Sequence, residues 1–182
     1  MPDKTPKAEL EEDKAIIWNK GEGRSIFDKG WFGEMFDDRL ELSLIEATFL
    51  LERKKIEIKM DKKKVTLKKI YKHAQKKDPR FIIKYTVYKD LRERGLPVRT
   101  GFKFGCDFRV YERGISPIKK GPKSAREHTK WIVFCVSEDY NCSFQELSRA
   151  VRLAHNIRAN MLWAIVDNEG DCTYYSVTYI SP

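Results

Sequence analysis

The sequence predicts an α+β N-terminal subdomain, residues 1 to 80, followed by an α/β C-terminal subdomain with a mixed β-sheet, residues 81 to 182. Three observations carry that expectation. Two Ser-x-x-Glu boxes, Ser43-Leu44-Ile45-Glu46 and Ser143-Phe144-Gln145-Glu146, each open an apolar run of helical period. Ile56, Ile58 and Met60 alternate at period two, the pattern of a half-buried strand. Asp78-Pro79 then disfavours helix, and short strands with turns replace helical patterns once the next amphipathic segment has ended at Gly95.

In order along the chain, the first dozen residues are polar, carry Pro2 and Pro6, and are expected to form a loose tail, with order beginning near Ile16. Gly21, Gly23, Gly30 and Gly33 punctuate residues 24–28 and 40–42, a spacing that reads as a small meander of strands. Those glycines match neither GxGxxG nor a P-loop, so turns are expected rather than a phosphate cradle. Ser43 should cap a helix to about Arg53, because its hydroxyl accepts from the Glu46 amide while the Glu46 carboxylate reaches back. After the strand through Ile58, residues 61–64 form a turn, and Thr66 caps a basic helix ending near Lys77.

The next helix, from Phe81 to about Arg94, presents Phe81, Tyr85, Tyr88 and Leu91 on one side and stops at Gly95, a left-handed cap. Residues 128–136 read as a continuous buried strand, and Ser143 should start a helix reaching about Ala159. Strands over residues 162–166 and 172–180 then flank the tight turn 167–171.

A chain of 182 residues with 41% hydrophobic content can bury a core, and 36 Lys plus Arg against 27 Asp plus Glu leave a net charge of +9. That excess favours an anionic partner, nucleic acid first and an acidic membrane surface second. No apolar run is long enough to span a membrane and no secretion signal is visible, so a cytoplasmic setting is expected. Cys106, Cys135, Cys142 and Cys172 stand apart without a CxxC pair, which indicates thiols rather than a zinc site or a disulfide framework. Lysine runs at residues 53–55 and 62–64 read as solvated faces or turns rather than as contacts to RNA.

Only His73, His128 and His155 are available for histidine chemistry. His128 is the best placed, where the basic loop 114–127 returns to a buried strand. On the helix after Ser143, the residues Arg149, Arg152, Asn156 and Ala159 fall along one stripe, which fits either the wall of an anion-binding cleft or a solvated face.

Five ordered blocks then carry a resemblance. They are KYTVYKDLRERG from Lys84, TGFKFGCDFRVYERG from Thr100, EHTKW from Glu127, VRLAHNIR from Val151 and LWAIVD from Leu162. Together they resemble archaeal tRNA-splicing endonuclease, strongly over residues 81 to 182 and mainly in layout before that, where LSLIEA from Leu42 fits best. The resemblance implies cleavage of precursor tRNA at a bulge–helix–bulge without metal or other cofactor, leaving a 2′,3′-cyclic phosphate and a 5′-hydroxyl. The family's catalytic tyrosine falls on Tyr111 and its histidine on His128. In-line attack within RNA needs one proton removed, one supplied and extra negative charge neutralised, which a tyrosine, a histidine and a lysine can do. A phenol is a poor base at neutral pH without nearby cations, and Arg109, Arg113 and Lys130 are the candidates.

Where the family reads Val-Arg-Lys, this chain reads Ile157-Arg158-Ala159, so Ala159 stands at the position of the catalytic lysine. With that lysine the formal charge would be about +10. Ala159 reads most simply as a deliberate change in a catalytic subunit, costing about two to three orders of magnitude in rate. A noncatalytic subunit of the same assembly is the rival, and it would be expected to lose Tyr111 and His128 too; a general basic RNA-binding module explains neither residue. The resemblance further implies that Arg152 clasps a flipped bulge base by cation–π stacking. It places an assembly loop on Asp167, Glu169 and Asp171, and dimer packing through the last strand with Tyr174, Tyr175 or Tyr179. Four units are expected, as a homotetramer or with a related second subunit.

Overall fold

A computed structural model describes residues 5–101, 105–118, 121, 124 and 127–180. The chain divides into two compact units, Met1–Ile82 and Ile83–Pro182. Among the described residues, no helix is long and apolar enough to cross a membrane.

The first unit contains β1 (Lys7–Leu10), β2 (Lys14–Ile17), α1 (Lys20–Gly30), β3 (Glu34–Met35), β4 (Leu40–Ser43), α2 (Leu44–Glu52), β5 (Glu57–Met60), β6 (Lys63–Lys64) and α3 (Leu67–Lys77). Its strands form one sheet in the order β3-β4-β2-β1-β5-β6. Alternation puts Leu10, Ile17, Leu42 and Ile58 into a core shared with Leu50 of α2 and Ile70 of α3. The Ser43 box forms as the sequence predicts: Glu46 Oε2 accepts from the Ser43 amide at 3.0 Å, and the Glu46 amide donates to Ser43 Oγ. Glu46 also accepts from the Gly33 amide at 2.8 Å, which gives this buried carboxylate a second anchor. Thr66 caps α3 as expected.

Two expectations for this unit fail. The first residues are not a loose tail from end to end, because β1 is inside the sheet, antiparallel to β2 and parallel to β5. Pairing with a strand some fifty residues away leaves no local trace in a short polar stretch. Of the glycine-punctuated segments, residues 40–42 are strand β4 as expected, but residues 24–28 lie in helix α1: Asn19 accepts from the Glu22 amide as N-cap, and Ile26 and Phe27 are buried. Gly23 is required there because a Cβ would lie 2.9 Å from Leu40 Cβ.

The second unit follows through α4 (Phe81–Glu93), β7 (Val98–Thr100), β8 (Phe108–Val110), β9 (Trp131–Ser137), α5 (Phe144–Asn156), β10 (Asn160–Val166) and β11 (Cys172–Val177). The sheet order is β11-β10-β9-β8-β7, with β9 and β10 parallel and the other pairs antiparallel, the expected mixed sheet. Helix α5 carries the chain between the parallel strands, and its Ala150, Val151 and Ala154 pack with Ile132 and Met161. Gly95 has φ 79 and ends α4 in the left-handed conformation that the sequence predicts.

Local boundaries differ from expectation here as well. The strand expected from His128 begins at Trp131, leaving His128 exposed outside it. Ser143 caps α5, but the Glu146 carboxylate bonds the Tyr140 hydroxyl instead of completing the second box. Helix α5 stops at Asn156 rather than near Ala159.

Candidate active site

The sheet of the second unit determines which residues meet. Strand β8 ends at Val110, opposite Trp131 at the start of β9, and the Lys130 amide donates to the Val110 carbonyl at 2.9 Å. Trp131 is also in register with Asn160 at the start of β10, whose amide donates to the Lys130 carbonyl at 2.9 Å. Tyr111, Lys130 and Ala159 therefore form a row across three adjacent strand ends. At a strand spacing of about 4.8 Å, the backbones of residues 111 and 159 are roughly 10 Å apart. His128, two residues before Lys130, approaches the same end of the sheet.

Each member of the row has a distinct setting. The Tyr111 ring is buried, 2% exposed, and its amide donates to the Pro97 carbonyl at 3.0 Å. Its hydroxyl makes no hydrogen bond among the described residues. The strand leading to it is anchored by Asp107, which accepts from the Cys135 amide at 2.8 Å and lies 3.4 Å from Lys84 Nζ. His128 is exposed, and before it the Ser124 amide donates to the Glu127 carboxylate at 2.7 Å.

Ala159 is not on the helical stripe that the sequence spacing implies. Arg158 turns left-handed at φ 55, its amide donates to the His155 carbonyl, and the Ala159 amide donates to the Ala154 carbonyl at 2.9 Å. This is a Schellman motif with Ala159 as the apolar residue following the left-handed position, packed against the core that includes Ala154. Position 159 thus reaches the strand-end row by leaving the helix. Arg149, Arg152 and Asn156 remain on α5 as an exposed polar side, with Arg152 open to solvent.

The three cations considered near the phenol have other contacts. Arg113 donates to the Arg94 carbonyl at 2.8 Å, Lys130 pairs with Glu112 at 3.0 Å, and Arg109 approaches the Thr100 carbonyl at 3.4 Å. Among the described residues, no group of three or more His, Cys, Asp and Glu side chains could hold a metal ion.

A family model for the catalytic C-terminal domain of tRNA intron endonuclease matches residues 81–174, and one for the N-terminal domain of the same enzyme matches residues 7–71. The chain belongs to the tRNA intron endonuclease family. The chain is 39% identical over 171 residues to a tRNA-splicing endonuclease of Thermococcus gammatolerans, covering 94% of this chain and 96% of the relative. One from Methanothermobacter thermautotrophicus is 36% identical over 176 residues, covering 97% and 98%. Another, from Nanoarchaeum equitans, reaches 42% over 135 residues, covering 74% of this chain and 86% of the relative.

The endonuclease family match also spans the segments around the row. In the turn between β10 and β11, Asp167 uses its own carboxylate to accept from the amides of Glu169 at 3.0 Å and Asp171 at 2.9 Å. Asp167 therefore braces the loop, while Glu169 and Asp171 are exposed. Strand β11 is a sheet edge that ends at Val177 rather than near residue 180; Tyr175 on it is 55% exposed, and Tyr179 beyond it is 63% exposed. Tyr174 instead turns inward: its hydroxyl donates to Asp90 at 2.6 Å, and Asp90 also holds Arg94 Nε at 2.7 Å. Burial, and then that bond to Asp90, push the Tyr174 hydroxyl above the ordinary phenol range. Burial likewise pushes the Cys106 and Cys172 thiols up to about 11. Sequence reasoning missed the Asp107 anchor and the Tyr174–Asp90–Arg94 cluster, because each joins residues far apart in the chain.

Proposed function

We propose that this chain is a subunit of an endonuclease that cuts precursor tRNA at bulge–helix–bulge intron junctions. The observation that supports this most is the alignment of Tyr111 and position 159 with Lys130 across three strand ends, with His128 two residues before Lys130 in the chain. Tyr111 takes the proton of the ribose 2′-hydroxyl, and the 2′-oxygen attacks the adjacent phosphorus in line. The bond to the 5′-oxygen breaks, and His128 supplies that oxygen with a proton. The products are a 2′,3′-cyclic phosphate and a 5′-hydroxyl, with no metal taking part. A lysine at position 159 would place its ammonium against the phosphorane, and Ala159 withholds that charge.

Arg152, exposed on α5, stacks on a flipped bulge base in this reading. The exposed carboxylates of Glu169 and Asp171 dock on a neighbouring unit, and the β11 edge with Tyr175, together with Tyr179 just beyond it, packs against its counterpart in a tetramer. The assembly works in the cytoplasm.

Single-turnover cleavage of a bulge–helix–bulge RNA by this chain and by its Ala159→Lys variant tests the proposal. The variant is expected to cut about 10²–10³-fold faster, and both products should carry the stated ends. Equal rates in the two proteins would overturn the assignment of position 159, and no cleavage by either would overturn the activity.

A further inference from the structure

The positive charge of this protein is not spread over its surface. Residues 53–77 hold twelve Lys or Arg and two Asp or Glu, a net +10. The other 157 residues hold 24 cations against 25 anions, so this one segment accounts for the whole excess of +9. It forms the end of α2, the β5–β6 hairpin and α3, three consecutive pieces packed into the first unit.

Within the segment, local structure bends to accommodate charge. On α3, Ile70 and Ala74 face the core, while Lys68, Lys72 and Lys76 follow one another at four-residue intervals on the opposite side with Lys69 beside them. Like charges at that spacing repel, and Lys68 and Lys69 additionally occupy the positive end of the helix dipole. In the hairpin, Lys59 is directly opposite Lys64 across the two strands, another repulsive pairing. Lys62 has φ 64 and Lys54 has φ 55, both left-handed positions where glycine would be easier. Lys54 and Lys55 close α2 with a Schellman pair of bonds to Leu51 and Leu50. Only Lys64 and Lys77 of the segment's lysines form an ion pair among the described residues, with Glu57 and Glu12.

Each departure from local preference adds or keeps a cation. Protection of the exposed β6 edge would explain Lys63 and Lys64, but it does not explain the α3 stripe. Solubility alone would be served better by mixed signs. Exposed ammonium groups, most of them outside ion pairs among the described residues, are what a phosphate backbone needs, whatever its sequence.

We propose that this lysine face of the N-terminal unit is a second RNA-binding surface, which grips the phosphates of duplex RNA independently of the Tyr111 end of the other unit. It rests on the reading of the substrate as RNA. It also replaces the expectation that the lysine runs are only solvated faces or turns.

The test is equilibrium binding of the full chain to a labelled, bulge-free RNA duplex of about 20 base pairs, between about 50 and 200 mM salt. Lys68→Gln, Lys72→Gln and Lys76→Gln combined should lower the slope of log affinity against log salt by about 2 to 3 units, at about 0.9 per contact. Affinity near 0.1 M salt should fall on the order of 10²-fold. Circular dichroism should show no loss of thermal stability, since the variant relieves repulsion along α3. Lys20→Gln with Lys29→Gln, exposed cations on α1, should change the slope far less per charge removed.

An unchanged slope in the α3 variant, or an equal loss per charge in the α1 variant, overturns the proposal. So does a parent chain that ignores the duplex yet binds phosphatidylglycerol vesicles. Failure of cleavage by the Ala159→Lys variant while the α3 lysines still govern duplex binding would sink the catalytic reading alone.

Discussion

Replacing Tyr174 by Phe removes one hydroxyl and leaves the ring in place, so it isolates the bond that ties β11 to α4. The hydroxyl donates to Asp90 at 2.6 Å, and a hydrogen bond to a charged acceptor contributes about 1.5–3 kcal/mol. Asp90 keeps Arg94 at 2.7 and 3.2 Å, so the carboxylate is not orphaned and the low end applies. The expected loss is about 1–1.5 kcal/mol, which for a unit of about 100 residues lowers Tm by roughly 4–10 °C. The pH dependence has a definite sign. Because the folded-state hydroxyl titrates above its unfolded value, its contribution is complete below about pH 10 and is lost as pH rises further. The parent should therefore lose its advantage over Tyr174→Phe above that pH. The Cys106 thiol, raised chiefly by burial, cancels in the comparison. Cys172, likewise raised chiefly by burial, does not, because a hydrogen bond with Tyr174 works to lower its pKa; both proteins are therefore compared with Cys172→Ser in place. Thermal unfolding of both from pH 7 to about pH 11 is the assay. Equal Tm at pH 7 together with parallel alkaline profiles would refute the account.

Two further outcomes follow from local geometry in the two units. Glu46→Gln is isosteric, but Glu46 accepts from Gly33 with one oxygen and from Ser43 with the other, so the amide nitrogen must face a donor. Urea unfolding of the N-terminal unit should show a loss of about 1–3 kcal/mol, and a neutral result would refute the two-sided acceptor role. Arg158→Gly relieves the left-handed backbone at φ 55 and should raise stability by about 0.5–1 kcal/mol; a lower Tm would mean that the Arg158 side chain makes contacts that outweigh the strain.

Features written in neighbouring residues were legible without the structure. Ser43, Thr66, Ser143 and Gly95 end or start helices through contacts three to five residues away, and those contacts survive any tertiary arrangement. Glu146 shows the limit of that reasoning, since Tyr140 drew away the carboxylate that the same motif keeps at Glu46. Segment α1 shows another limit: its glycines suggested turns, while the close approach of Leu40 to Gly23 favours a packed helix.

Taken alone, the sequence determined the family resemblance, the helix caps, the size of the charge excess and the identities Tyr111, His128 and Ala159. Only the tertiary structure decided that the ends of β8, β9 and β10 line up Tyr111, Lys130 and Ala159, that Ala159 enters the row through a Schellman turn, and that β1 belongs to the sheet. The charge makes the same point: its placement in residues 53–77 was already in the sequence, but its strain and repulsion were not. Caps depend on a few bonds within one turn of chain, whereas strand order, register and facing charges depend on residues that only folding brings together.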